Sequence, residues 1–187
     1  MNNVYDILYY IYIKKMISVH ETEVYINSYP TIFYFILLPL CYVYHVSYVY
    51  VIGYMIQFII NDCLKLFFLH AIGSAGNRPF PYHTPRLVSS VPIALGADLT
   101  KYLRQANAYG FPSGHAQSVG YFLAFMHQFL PWRKWHPGWV VFILLFAAVL
   151  MYTRIAFRYH TPIQVLFGFV FGVAIFRAFH WIVTKMK

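Results

Sequence analysis

Acidic residues are scarce in this chain. Its 187 residues include only five Asp and Glu against 14 Lys and Arg, and charged residues of both signs make up 10% of the total. Hydrophobic residues make up 60% and aromatic residues 21%. Because a soluble domain carries about 25% charged residues, this composition excludes an ordinary soluble domain and indicates a membrane protein.

Other missing features narrow the organisation. The sequence has no short-period repeat, no Gly/Ser-rich linker and no low-complexity tail, so we expect a single domain over residues 1–187. Cys41 and Cys63 are isolated within apolar segments, which favours two buried small residues. The basic residues behind the net charge of +9 are spread over the loops. We therefore expect membrane lipids as partners, with no nucleic acid and no obligate protein partner.

Apolar segments predict five membrane spans. No charged residue occurs between residues 24 and 61, a stretch longer than the ~20 residues that one helix needs to cross a hydrocarbon core of ~30 Å. This stretch should hold two spans, with a break near residues 45–47. Three further apolar segments occupy residues 116–130, 137–153 and 163–183.

The N-terminal region, residues 1–30, allows two interpretations. The apolar run over residues 4–17 ends early at Lys14 and Lys15, which is typical of a short extra span or an interfacial helix. The predicted fold is therefore an all-α, integral membrane bundle of five to six transmembrane helices.

A polar loop at residues 73–114 separates the second and third predicted spans. Its five prolines exclude one long helix. The turn at residues 154–161 follows two spans later, so the loop and the turn must emerge on the same face of the membrane. His115, Arg154 and His160 can therefore converge.

Two histidines and several basic residues at one membrane face indicate phosphate chemistry. Arg78, Arg154 and Lys65 can supply cations for phosphoryl oxygens. Ser113 and Gly114 open a helix, where backbone N–H groups bind anions, and glycine allows a close approach of the backbone. Two histidines can supply a nucleophile and an acid without a metal, so no cofactor is expected.

The same residues match three motifs of a known family. The chain resembles the type 2 phosphatidic acid phosphatases, integral membrane enzymes related to vanadium haloperoxidases. Their second motif, Pro-Ser-x-His, is intact at residues 112–115, and their third, Ser-Arg-x5-His-x3-Asp, begins at Thr153 and ends at Gln164. Their first motif, a lysine followed after six residues by Arg-Pro, corresponds to Lys65 and Arg78, but twelve residues separate these two.

The resemblance implies a role for each matching residue. His160 attacks phosphorus and forms a phosphohistidine, which water then hydrolyses. His115 protonates the leaving oxygen and later deprotonates the water. The phosphoryl oxygens are held by Arg78, Arg154, Ser113 and Gly114.

This sequence departs from the family pattern at Gln164 and in the gap between Lys65 and Arg78. Gln164 replaces an aspartate that hydrogen-bonds the nucleophilic histidine, and its amide oxygen is expected to accept that bond without supplying a charge. Gln164 and Gln117 also match the pattern of dolichyl-diphosphatases, which favours a polyprenyl diphosphate as substrate. Lys65 is equally compatible with a phosphate ligand and with a snorkelling helix residue, and an ion pair with Asp62 one turn earlier is expected.

Several alternatives stay open from the sequence. Phosphatidic acid or another lipid phosphate is a second substrate class. A phosphotransferase similar to the sphingomyelin synthases has the same motifs, and an inactive lipid-binding homologue is compatible with the missing aspartate. The basic residues at the end opposite to the motifs weakly favour an active site on the lumenal or extracytoplasmic side.

Overall fold

The computed structural model describes residues 29–79, 109–130 and 136–186. These residues form five α-helices and one 3-10 turn, Gly73–Gly76, and contain no β-strand beyond an isolated bridge between Asn77 and Tyr109. The helices are α1 (Tyr29–Val43), α2 (Val49–Ile72), α3 (Gly114–Phe129), α4 (Pro137–Ala156) and α5 (Pro162–Lys185). The all-α prediction is confirmed. The extra helix predicted at residues 4–17 lies outside the described residues.

Three of these helices are long and apolar enough to cross a membrane: α2 with its 3-10 extension, α4 and α5. The other two predicted spans are helical but short, because α1 has 15 residues and α3 has 16. At 1.5 Å per residue they measure roughly 22 to 24 Å, less than the ~30 Å hydrocarbon thickness. The helix α3 is short because it begins only after the extended backbone of Ser113 and ends before Leu130, which is again extended.

The helix boundaries follow local signals in the sequence. The predicted break between α1 and α2 is confirmed, since His45 adopts a left-handed backbone with φ of 50°. The helix α4 begins at Pro137, where the ring of His136 accepts a hydrogen bond from the N–H of Gly138 at 3.1 Å. The helix α5 begins with Pro162 and a capping box between Thr161 and Gln164.

The most extensive contact between helices joins α3 and α5. Small residues allow it: a Cβ added to Gly172 would collide with the carbonyl oxygen of Gln117, and one added to Gly168 would collide with that of Ser113. Such backbone-to-backbone approach through small residues is common between membrane helices. It brings the N-terminal turn of α3 directly against the first two turns of α5.

The bundle buries polar residues together with its apolar core and exposes apolar side chains on its outer surface. Gln57 and Asn61 of α2 are buried and bond to Ser118 and Gln117 of α3, at 3.1 and 2.9 Å. The exposed apolar side chains include Ile52, Ile59, Phe67, Val141, Leu145, Val149, Leu166 and Val170. This distribution is the one expected for helices surrounded by lipid, where polar groups must find partners within the bundle.

Candidate active site

Four chain segments meet at one end of the bundle. The N–H of Ser113, just before α3, donates to the carbonyl of Gln164 in the first turn of α5 at 3.0 Å. The N–H of Gly110 donates to the carbonyl of Gly76, after α2, at 3.1 Å. The loop segments and the α4–α5 turn therefore share one face, as the count of spans predicted.

His160 lies in the turn between α4 and α5 and is only 2% exposed. Its backbone N–H donates to the carbonyl of Arg154 at 3.0 Å. Its ring Nδ1 lies 2.9 Å from the carbonyl oxygen of Gly110. Because a carbonyl oxygen can only accept, this contact assigns the ring proton to Nδ1 and leaves the lone pair on Nε2.

The surroundings keep the His160 ring neutral. Burial lowers the pKa of His160 well below its ordinary value, and the positive charges of Arg78, Arg154 and Lys65 lower it further. The hydrogen bond to Gly110 opposes this effect. At neutral pH the imidazole is therefore uncharged and available as a nucleophile or base.

Arg154 is fully buried at the end of α4. Its guanidinium carbon lies 4.4 Å from the centre of the Tyr159 ring, a cation–π contact. The preceding Thr153 replaces the serine of the family motif, and its hydroxyl donates to the carbonyl of Leu150 at 2.8 Å. Thr153 therefore stabilises the end of α4, and Arg154 places a cation inside the site.

Lys65 and Arg78 join the site in spite of the stretched first motif. Lys65 is 6% exposed, and its Nζ lies 3.6 Å from a carboxylate oxygen of Asp62, as predicted. The burial of Lys65 differs from the solvent-directed side chain of a snorkelling residue. The helix α2 continues to Ile72, and the 3-10 turn that follows folds the chain back. The charges of Lys65 and Arg78 consequently both act on His160.

The N-terminus of α3 contributes Ser113, Gly114 and His115. Ser113 is fully buried, and its hydroxyl accepts from the N–H of Ala116 at 3.4 Å. A Cβ added to Gly114 would lie 2.8 Å from the side-chain oxygen of Asn61, so a larger residue here would have to displace the Asn61 side chain. His115, the second residue of α3, is half-buried. Backbone N–H groups at this helix start can bind an anion.

The expected hydrogen bond between His160 and Gln164 is not formed. The oxygen of the Gln164 side chain accepts from the N–H of Thr161 at 3.0 Å, and its nitrogen donates to the carbonyls of Gly76 and Asn77 at 3.1 and 2.9 Å. The capping box holds Gln164 in this position, and the carbonyl of Gly110 takes the place next to His160. The predicted hydrogen-bond partner of Gln164, His160, was wrong, although Gln164 does lie at the site.

Two residues that help to position the groups of the site were not identified from the sequence. Gly110 supplies its backbone carbonyl to His160, and a backbone group leaves no residue-type signal. Tyr109 is 1% exposed, and its hydroxyl lies within hydrogen-bond distance of the carbonyls of Phe68 and Gly73, at 3.1 and 3.0 Å. The sequence offered one signal, a tyrosine directly before a glycine in a polar loop.

Gln117 faces the interior of the bundle. Its side-chain oxygen accepts from Asn61 at 2.9 Å, and its nitrogen donates to the backbone carbonyl of Gln57 at 2.7 Å. These bonds join α2 to α3 beneath the site. They give Gln117 a structural role that does not depend on the identity of the substrate.

The site carries an excess of positive charge. Asp62 is the only acidic residue within the described ranges, and it lies beside a cluster of three cations, namely Lys65, Arg78 and Arg154. The described ranges bring together no group of three His, Cys, Asp or Glu side chains suited to a metal ion. The arrangement is therefore suited to a multiply charged anion next to a neutral histidine.

A large apolar crevice lies away from these residues. It has a volume of about 790 Å³ and is lined by side chains of α1, α3 and α4, including Phe33, Phe122 and Trp139. None of the three cations and neither His115 nor His160 lines it. The crevice is therefore separate from the site.

Comparison with known proteins identifies one family. The family model described as the PAP2 superfamily matches residues 44–187, a range that includes α2 to α5 and every residue of the candidate site. No curated protein and no solved structure matches the chain. The match agrees with the resemblance to type 2 phosphatidic acid phosphatases, and it does not extend to the dolichyl-diphosphatase branch.

Inorganic phosphate should bind the purified protein through the three cations. We expect phosphate to raise the melting temperature in detergent, and Arg154→Gln to weaken its binding by about 10- to 100-fold, because a charge-assisted hydrogen bond contributes about 1.5–3 kcal/mol. Arg177→Gln is the matched control, since Arg177 is exposed and bonds to Gln128 at 2.8 Å. Equal stabilisation of all three proteins would contradict the assignment. Arg78→Gln replaces Arg154→Gln if the buried change prevents folding.

Proposed function

The chain belongs to the PAP2 superfamily, and we propose that it hydrolyses a lipid phosphate or diphosphate, preferably a polyprenyl diphosphate, through a phosphohistidine. The chain is an integral membrane protein of the phosphatase type, with three helices suited to cross a membrane. A substrate whose hydrocarbon tail stays in the bilayer can present its phosphate at the end of the bundle where the site lies.

The observation that carries this proposal is the state of His160. A backbone carbonyl fixes the proton on Nδ1, and burial together with three cations keeps the ring neutral. The lone pair on Nε2 is thus present at neutral pH, next to charges that attract a phosphoryl group. A nucleophile close to an anion site is the minimum that phosphoryl transfer to an enzyme needs.

The proposed reaction proceeds in two steps. In the first, Nε2 of His160 attacks phosphorus, the bond to the leaving oxygen breaks, and His115 donates a proton to that oxygen. In the second, His115 takes a proton from water, and the resulting hydroxide attacks the phosphohistidine. Inorganic phosphate leaves, His160 is neutral again, and His115 has regained its proton.

The three cations stabilise the transition state most strongly, because negative charge then spreads over the phosphoryl oxygens. Arg78, Arg154 and Lys65 are fixed before the reaction, so they stabilise the transition state without reorganisation. The carbonyl of Gly110 stabilises the positive charge that develops on the His160 ring, since Nδ1–H donates to it. This carbonyl is a dipole and carries no net charge, in contrast to the aspartate of the family pattern.

The motif match supports a diphosphate as the preferred substrate. Three cations beside a single carboxylate leave two positive charges in excess, which the dianion of a phosphate monoester and a diphosphate can both balance. The preference for the diphosphate therefore rests on Gln164, which matches the dolichyl-diphosphatase pattern, since Gln117, which also matches it, has a structural role. The proposed order of preference is a polyprenyl diphosphate first, then phosphatidic acid and other lipid phosphates.

Purified protein should release inorganic phosphate from a polyprenyl diphosphate in the presence of EDTA. His160→Ala should lower the rate at least 1,000-fold, because it removes the nucleophile, and His115→Ala should lower it by about 100-fold or more, because it removes the general acid. His127→Ala, an exposed histidine on α3 outside the site, is the control. Full activity in His160→Ala would rule out the mechanism.

The same assay tests the alternatives. A higher rate with phosphatidic acid than with the diphosphate would reverse the substrate order. Transfer of labelled phosphate to a lipid hydroxyl would identify a phosphotransferase similar to the sphingomyelin synthases. A folded protein that binds lipid phosphates without releasing phosphate would be an inactive homologue.

The pH profile should reflect the lowered pKa of His160. The neutral ring is the nucleophile, so activity is lost as the pH falls through the pKa of His160, and a lowered pKa places this acid limb of kcat/KM below pH ~6.5. Lys65→Gln removes one of the cations that lower this pKa, so the limb should move to higher pH. Lys185 is exposed in the last turn of α5, so Lys185→Gln should leave the limb in place. An unmoved limb in Lys65→Gln would place the Lys65 charge outside the site.

A further inference from the structure

We propose that Gln164 is a positioning residue that acts as a hydrogen-bond donor. Its carboxamide fixes the loop that carries Arg78 and, through Gly76 and Gly110, the carbonyl that orients His160. The inference rests on the proposed function of this site. It gives Gln164 a different role from the aspartate of the family pattern, which accepts a hydrogen bond from the nucleophilic histidine.

The hydrogen-bond partners determine which way the amide points. The N–H of Thr161 can only donate, and it lies 3.0 Å from the side-chain oxygen of Gln164. The carbonyls of Gly76 and Asn77 can only accept, and they lie 3.1 and 2.9 Å from its side-chain nitrogen. The opposite orientation would place an oxygen against two oxygens and an NH₂ group against an N–H. The two donated bonds therefore require an amide.

The first consequence concerns Arg78. Asn77 precedes Arg78 directly, so the bond to the Asn77 carbonyl fixes the backbone from which the guanidinium extends. Gln164 is 2% exposed and Gly76 is buried, whereas Asn77 is exposed, so few water molecules are available to replace a lost donor at Gly76. Loss of the donor leaves the Gly76 carbonyl with the N–H of Gly110 as its remaining partner, and an acceptor in place of the donor would repel both carbonyls, so the loop is expected to move.

The second consequence concerns His160. The carbonyl of Gly76 accepts both from Gln164 and from the N–H of Gly110, and the carbonyl of Gly110 accepts from Nδ1 of His160. Gly110 is also enclosed by the two side chains: a Cβ there would lie 2.9 Å from the amide of Gln164 and 3.0 Å from Cγ of Arg78. The position of Gly110 therefore depends on Gln164.

A third link runs through the backbone. The carbonyl of Gln164 accepts from the N–H of Ser113 at 3.0 Å, which joins the first turn of α5 to the N-terminus of α3. One residue thus contacts the Arg78 loop, the cap of α5 and the start of the helix that carries His115.

Gln164→Glu separates the two possible roles of this position. Glutamate keeps the length of the side chain and an oxygen for Thr161, but in its ionised form it places an acceptor against the carbonyls of Gly76 and Asn77. If position 164 served mainly as a hydrogen-bond acceptor for His160, the added charge would maintain or raise kcat/KM. If Gln164 acts as a donor, Gln164→Glu removes the donated bonds. The value of kcat/KM should then fall at least tenfold, with a rise in KM because Arg78 is displaced.

A double-mutant cycle tests the path through Arg78. If Gln164 acts by positioning Arg78, Gln164→Glu should have little further effect on KM in an Arg78→Gln background. Gln117→Glu is the matched control, because Gln117 is a buried glutamine whose nitrogen also donates to a backbone carbonyl, that of Gln57. Its effect should add to that of Arg78→Gln. Additive effects for Gln164→Glu, or an unchanged kcat/KM in the single variant, would overturn the proposal.

The inference can also be tested without turnover. Binding of inorganic phosphate, measured by the shift in melting temperature, should weaken in Gln164→Glu about as much as in Arg78→Gln, and the double variant should bind no more weakly than either. A protein that binds phosphate in this pattern but releases none from lipids would retain the inference and refute the proposed hydrolysis. Should Gln164→Glu fail to fold, Gln164→Met, which is neutral and similar in volume, carries the same expectation.

Discussion

The concentration of positive charge at one end of an apolar bundle is the constraint on which the rest of the site depends. Lys65, Arg78 and Arg154 lie close enough to His160 to lower its pKa, and Asp62 is the only acidic residue in the described sequence. Burying a charge is costly unless it is paired and hydrogen-bonded. A multiply charged anion is the ligand that such a cluster favours, and the same charges keep His160 in the neutral form that can attack phosphorus.

Assembly of this cluster depends on how closely the helices approach. Gly168 and Gly172 let α5 contact the backbone of α3 directly, so the N-terminal turn of α3 lies beside the first turns of α5. Gly114 leaves room for the side chain of Asn61 on α2. Gly168 and Gly172 are therefore essential to the site, because a larger residue at either position would separate the helix ends that carry the reactive groups.

Much of the helical framework could be predicted from the sequence. The absence of charge over residues 24–61 gave two helices, and the predicted break coincides with the left-handed backbone of His45. Two predicted spans separate the two motifs, so both were expected on one face of the membrane. The bond between Ser113 and Gln164 confirms this. The lengths of α1 and α3 were overestimated, because hydropathy marks an apolar segment and does not show where its backbone leaves the helix.

The finer arrangement of the site could not be predicted in the same way. A motif shows which side chains are present, whereas the partner of His160 is the backbone carbonyl of Gly110, to which residue type gives no clue. Gln164 can accept or donate, and only the carbonyls of Gly76 and Asn77 determine which it does. The twelve-residue gap after Lys65 likewise required a 3-10 turn at Gly73–Gly76, a local geometry that four small residues permit without dictating.

The most direct test of the account is the identity of the phosphorylated atom. Turnover of a labelled polyprenyl diphosphate is quenched in alkaline denaturant, and the phosphorylated peptide is identified by mass spectrometry with separation of the two phosphohistidine isomers. Because Nδ1 of His160 is held by Gly110, the account predicts phosphate on Nε2 of His160. Phosphate on Nδ1, on His115, or on no histidine while turnover proceeds would contradict it.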